Sequence, residues 1–396
     1  MSLSDADVHI CFLQRYWERE DRSWIDECAL KPKLYPIAHL ALQSFAAAFF
    51  SRRHRPTDIG YSHLRYASAL TALRTALQQD DVSSSFDILA ATTALYRYET
   101  LACTSRAAFI KHAGVISKVT ELSGPECFFE HPSRALLKAN APRIVHEAYY
   151  QRTQTFLAQE SWKKPEHVTQ AEDNDFTHLF DFWARLAGLS QLITSFLIGF
   201  SAENSDAWQI RCDLNRLLAD LGSWHRATTT AQGFIPTEVE RTDLDVFYSD
   251  ELGQVFESYL QYPTLRTAMS FNFYRALKIT ILEWTFKVDH PTWWAGENRE
   301  RMIEVPSIRS LATDIARSLH MHLPSQGGET DFEMFTLLFA ARCACKPFHR
   351  RSREVRWIEK TLAKFADTRG FELGRDLASM DSLQLPGPRS KGTETV

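Results

Sequence analysis

An all-α fold, a multi-helix bundle of antiparallel helices, is predicted by three features of the 396-residue chain. Apolar residues recur at three- and four-residue steps from one end to the other, the spacing of one face of a helix. Period-two runs bounded by turn residues are missing, so little or no sheet is expected. Gly and Pro, 15 of each, fall mostly between the helical patterns, where they end helices or start the next.

Taken in order, helices are expected over 5–18, 35–54, 60–79 and 84–102. In the third of these Tyr66, Leu70, Leu73 and Leu77 step by four, three and four. Ser105 is an N-cap for a helix over 105–122, whose Phe109, Ile116, Val119 and Leu122 keep one face apolar. Gly124-Pro125 stops it, because Gly tolerates a left-handed cap and Pro cannot continue the ladder. Helices over 132–140 and 142–159 each carry a proline in the first turn, where it is tolerated. Then come 174–202, with Leu179, Trp183, Leu186, Ile193 and Phe196 on one face, and 206–229. Gln232 to Tyr248 reads as loop. Helices follow over 250–260, 264–287, 306–321, 331–346 and 352–377, the last with Ile358, Leu362 and Phe365 in phase. Residues 1–383 are expected to form one helical domain, and 384–396, polar with Pro and Gly, a disordered tail.

Composition excludes several classes. The chain is 44% hydrophobic and 24% charged, with net charge −4. A bare nucleic-acid-binding domain would be basic. Lys346, His349, Arg350, Arg351, Arg353 and Arg356 cluster in sequence, and the plain reading is a solvated helix start. The seven cysteines are odd in number and dispersed, which points to reduced thiols in the nucleus or cytoplasm. The N-terminus carries no secretory pattern. The most apolar stretch, Leu186 to Phe200, is interrupted by Ser190, Gln191, Thr194 and Ser195 and reads as a buried helix rather than a membrane span.

One block is more specific. Ala113-Gly114, then Glu121-Leu122-Ser123-Gly124-Pro125, then Arg152-Thr153-Gln154-Thr155-Phe156-Leu157-Ala158 and Trp162, follow one another in order. This block resembles the regulatory, or middle-homology, domain of fungal zinc-cluster transcription factors. Ser123 stands where that family has Arg. Pro36–His54, Tyr66–Leu77, Ala90–Leu101, Phe271–Trp284 and Phe348–Phe371, with Arg356-Trp357 and Arg369-Gly370-Phe371, extend the resemblance over almost the whole chain. It implies a single regulatory-type helical domain. The family's DNA-reading module needs six cysteines in CxxC-type sets that bridge two zinc ions. This chain has no CxxC pair, so direct, specific DNA binding is not expected of it.

Other chemistry is sparse. No metal site and no cofactor is expected. Cys343 and Cys345, two apart on a helix, point away from each other, and His146-Glu147 lacks the second histidine of a zincin helix, Tyr150 standing in its place. Nucleotide-binding and nucleophile-elbow motifs are missing. Polar residues inside apolar helices remain: Tyr96, Tyr98, Glu99, Arg106, His112 and His146 are the candidate ligand-binding residues, since a buried charge needs a partner or a ligand. No catalytic residue can be assigned. The resemblance implies a transcriptional regulator or co-regulator of a gene set, of the secondary-metabolite kind, that works through a DNA-bound transcription factor. The alternative is a helical domain repurposed as a cofactor-independent biosynthetic enzyme, a cyclase, isomerase or dehydratase, acting on a small apolar metabolite. An interaction scaffold and a homodimer stay open.

Overall fold

A computed structural model describes residues 5–17, 23–53, 59–78, 86–102, 104, 106–162, 175–198, 206–232, 235–240, 255–291, 305–323 and 331–369. The expected tail, 384–396, lies outside them. The described chain is all-α, with one short two-stranded ribbon.

The first seven helices are α1 (Asp5–Tyr16), α2 (Ser23–Leu30), α3 (Pro36–Arg53), α4 (Ile59–Leu77), α5 (Phe86–Ala102), α6 (Arg106–Ser123) and α7 (Ser133–Gln151). Six more follow: α8 (Asp175–Ile198), α9 (Asp206–Gln232), α10 (Leu265–Asp289), α11 (Pro306–Ser318), α12 (Asp331–Cys345) and α13 (Arg353–Arg369). Strands β1 (Thr237–Glu240) and β2 (Ser258–Gln261) pair antiparallel, with Val239 opposite Tyr259.

In the first half α3 lies against α1, α4 and α5. Its Ala38, Ala41, Ala46 and Ala48 are buried and let the neighbouring backbones approach closely, while Phe45 and Phe49 fill the space beside them. Its N-terminus is closed from outside: Ile37 N and Ala38 N donate to the Asp87 carboxylate of α5 at 3.2 and 2.7 Å. Every residue of α5 from Ile88 to Leu101 is buried, as expected of a central helix. In the second half α10 is the central helix, packed on α8, α9, α11 and α12. The halves meet on α7, which touches α2, α5 and α6 on one side and α8 and α12 on the other. One contiguous apolar cluster runs from Ile10 to Phe365.

Most of the predicted stripes are buried: Tyr66 and Leu73, Ile116 and Val119, Leu179, Trp183, Leu186, Ile193 and Phe196, and Ile358, Leu362 and Phe365. Leu122, expected on the same face as Ile116 and Val119, is exposed in the last turn of its helix, and Leu70 and Leu77 are half-buried. Gly124 ends α6 at φ +75° and Pro125 follows it. Four expectations are corrected. Helix α2 was not foreseen; its Trp24, Ile25 and Cys28 amount to only one apolar turn, too short for a periodic signal. The helices expected over 132–140 and 142–159 are one helix, α7, which runs through the buried Pro142. Proline removes one ladder bond there, and packing on both sides of α7 outweighs that loss. The helix then stops early, at Gln151, because Arg152 adopts a left-handed conformation, φ 55°. Residues 156–158 form a single tight turn in which Thr155 Oγ1 accepts from Leu157 N. Finally, the helix expected over 250–260 is not formed in its described part, where Ser258–Gln261 is strand β2. Tyr259, the nearby Tyr262 and Pro263 favour extended backbone over helix, and β1 supplies the partner ladder.

Candidate functional site

The six candidate residues do not share one place. Tyr98, Glu99 and His112 come together where α4, α5 and α6 meet. Glu99 is fully buried. Its Oε1 accepts from Tyr66 Oη and, at 2.5 Å, from Thr104 Oγ1; its Oε2 accepts from Thr104 N at 2.9 Å. His112 Nε2 lies 3.0 Å from Tyr66 Oη. Tyr66 has a single proton, which goes to the carboxylate, so His112 donates through Nε2. Burial favours the neutral ring, pushing the His112 pKa down. The rings of Tyr66 and Tyr98 stack at 4.3 Å, and Tyr98 Oη meets His63 Nδ1 at 2.6 Å. Burial drives the Tyr66 pKa far up, and that of Tyr98 to about 12. Both phenols therefore keep their protons, and Tyr66 donates its own to Glu99.

Tyr96 faces the other way. Two residues along a helix turn about 200°, so Tyr98 points to α4 and Tyr96 to α7. There the Arg143 guanidinium sits 4.2 Å above the Tyr96 ring, and its Nη1 donates to Asn140 Oδ1 at 2.6 Å. Arg106 opens α6, and its side chain lies outside the described residues. His146 belongs to a third location, between α7, α8 and α12. Its ring lies 4.3 Å from Tyr150 and 5.9 Å from Trp183, and Arg342 covers Tyr150 at 4.8 Å. Burial, with Arg342 adding to it, brings the His146 pKa down to about 3.

Beside that location lies an ion cluster that the sequence did not single out. Glu283 of α10 takes Lys287 Nζ at 2.5 Å and Lys346 Nζ at 2.6 Å. Burial alone would push the Glu283 carboxyl up; the two ammonium groups outweigh it and hold it down at about 2. Burial pulls Lys287 down by more than its contact with Glu283 lifts it, whereas Glu283 keeps Lys346 above its ordinary value against burial. The signal in the sequence was the i, i+4 pair Glu283–Lys287 inside the largely apolar stretch 279–288.

A cleft of about 470 Å³ opens between the end of α6, the 154–159 segment and α8. Phe156, Ala158, Ala184 and Gly188 supply its apolar wall, and Glu121, Gln154 and Arg185 its polar rim. None of the six candidate residues lines it. Much of its lining comes from the Glu121-to-Ala158 block on which the resemblance rests. Among the described residues no group of three or more His, Cys, Asp or Glu side chains is placed to hold a metal ion. No described helix is long and apolar enough to cross a membrane.

The hydrogen-bond pattern around Glu99 predicts the effect of changing it. In Glu99→Gln one acceptor oxygen becomes a donor facing Thr104 or Tyr66, leaving a buried donor unmade. Thermal denaturation should show a loss of about 1–3 kcal/mol. A variant as stable as the parent would mean that the network is not structural.

No family model matches the chain, and no curated protein and no solved structure matches it, so its function rests on the arguments from its own residues.

Proposed function

We propose that the chain is a transcriptional co-regulator: a regulatory-type helical domain that acts through a DNA-bound partner and responds to a small apolar effector held in the α6–α8 cleft. The observation that supports this most is how its interior acid–base groups are used. Glu99, Tyr66, Tyr98 and His112 are all buried and hydrogen-bonded to one another or to Thr104 and His63. The cleft, in contrast, has one carboxylate in its lining, Glu121, which is held in an ion pair with Lys118 at 2.9 Å; its other lining groups are suited to binding rather than to proton transfer. A pathway enzyme would need an acid or base within reach of its substrate.

The test is to tether the chain to a heterologous DNA-binding domain upstream of a reporter. Reporter output is expected to change relative to the DNA-binding domain alone. The variant Gly188→Leu is expected to remove the dependence on effector. A Cβ at Gly188 would meet only Gln154 Cγ, at 3.9 Å, so the variant fills the cleft without a clash at that atom. A tethered chain that leaves the reporter unchanged under every growth condition would count against regulation.

The His112–Tyr66–Glu99 relay favours a second reading, the cofactor-independent enzyme, because it is a connected proton path. Under that reading Tyr66→Phe leaves the transcripts of neighbouring genes normal and causes a pathway intermediate to accumulate.

A further inference from the structure

The start of α13 carries a dense, exposed positive face. Arg350, Arg351, Arg353, Arg356 and Lys360 are exposed within eleven residues, against the partly buried Glu354 and Glu359. The neighbouring Lys346 is different, since it turns inward to Glu283. Glu354 is directed to Arg309, at 3.8 Å. Arg351, Arg353 and Arg356 form no ion pair or hydrogen bond through their side chains among the described residues.

Two features set this apart from an ordinary solvated helix end. The arginines stand at the N-terminus of α13, the positive end of the helix dipole, where cations are unfavourable and anions favourable. The helix cannot turn them away. Its other face, Val355, Trp357, Ile358, Leu362 and Phe365, is buried, and Trp357 packs on Phe256 and Tyr259 at 5.5 and 6.0 Å. The charge of Arg351, Arg353 and Arg356 is thus held, with no ion pair among the described residues, on a rigid element.

We propose that this face, Arg351, Arg353, Arg356 and Lys360, docks an acidic segment of a partner protein. Charge complementarity identifies the chemistry: carboxylates that meet the arginines in forked pairs also neutralise the cations at the helix end. The size of the face argues against nucleic acid. Arg353 to Lys360 spans about 10 Å of one helix, room for only a few phosphates where a duplex binder contacts about six to ten. The net charge of −4 repels a polyanion more than it repels a short acidic peptide. The surface follows from charge and geometry alone; within the regulatory reading it is where the DNA-bound partner attaches.

The test uses the full chain and a fluorescein-labelled peptide of alternating Glu and Ser, with an all-Ser peptide as control. Fluorescence anisotropy should show binding of the acidic peptide only, weakening as salt is raised. The triple variant Arg351→Gln, Arg353→Gln, Arg356→Gln should lose at least about tenfold in affinity. Its melting temperature should not fall, because cations are removed from the positive end of a helix. Peptide binding equal in variant and parent, or no binding at low salt, would overturn the proposal. So would random-sequence duplex DNA binding through the same arginines more tightly than the peptide. A failed reporter assay with intact peptide binding would sink the regulatory reading alone, and the converse would sink this docking surface alone.

Discussion

Glu283→Ala should destabilise the fold by about 3–5 kcal/mol, the range for breaking a buried ion pair by removing one partner. Glu283 is 5% exposed, and Lys287 and Lys346 both close on it. Removing the carboxylate leaves two ammonium groups where burial penalises charge. Lys346 also ties the end of α12 to α10 across 63 residues, so the loss falls on the contact between two central helices. With a folded domain worth only about 5–15 kcal/mol, the urea midpoint should drop steeply. Replacing the whole cluster, Glu283→Leu with Lys287→Met and Lys346→Met, should recover most of the loss, since apolar side chains of similar size need no partner. If the single variant keeps the parent midpoint, the cluster does not stabilise the fold.

Stability should fall as the solution is acidified from pH 6.5 towards pH 4. Burial lowers the pKa of His146 to about 3 and that of His320 to about 4. An unfolded histidine takes up its proton near pH 6.5, while the folded one stays neutral. The unfolded state therefore binds more protons in this window. The stabilisation is complete above about pH 6.5 and is lost as pH falls through the window, by about 1.4 kcal/mol per pH unit for each histidine. At pH 4 each should have removed on the order of 2–3 kcal/mol. His112, lowered by burial as well, adds in the same direction. Below that window Glu283, held at about 2, begins to take up protons later than its unfolded counterpart and continues the decline. Urea titrations at successive pH values measure the slope, and His146→Phe should flatten it. Stability that stays level from pH 7 to pH 4 would contradict the neutral state of both rings.

Helices α4, α8 and α13 could be read directly from residues such as Leu73, Trp183 and Leu362, because periodicity is a property of a few consecutive turns. The stop at Gly124-Pro125 and the start at Pro306 were legible for the same reason, while the expected cap Ser105 lies outside the described residues. Continuity through Pro142, the left-handed Arg152 and the strand at Ser258–Gln261 were not. Packing of α6 and α8 against α7 outweighed the proline, and the extended preference around Tyr259 became a strand only because β1 supplied a partner ladder. The polar residues show the same division. Glu99 and His112 stood out in sequence as charge among apolar neighbours. That Tyr66 and Thr104 would satisfy Glu99, that Tyr96 would turn to Arg143, and that Lys346 alone of the basic run would turn inward depended on how the helices are rotated against one another. The sequence by itself determined the helices, their apolar faces and the presence of buried charge. The tertiary structure decided which groups neutralise which, because hydrogen bonds and ion pairs form over about 3 Å and helix rotation is set jointly by all the side chains packed between them.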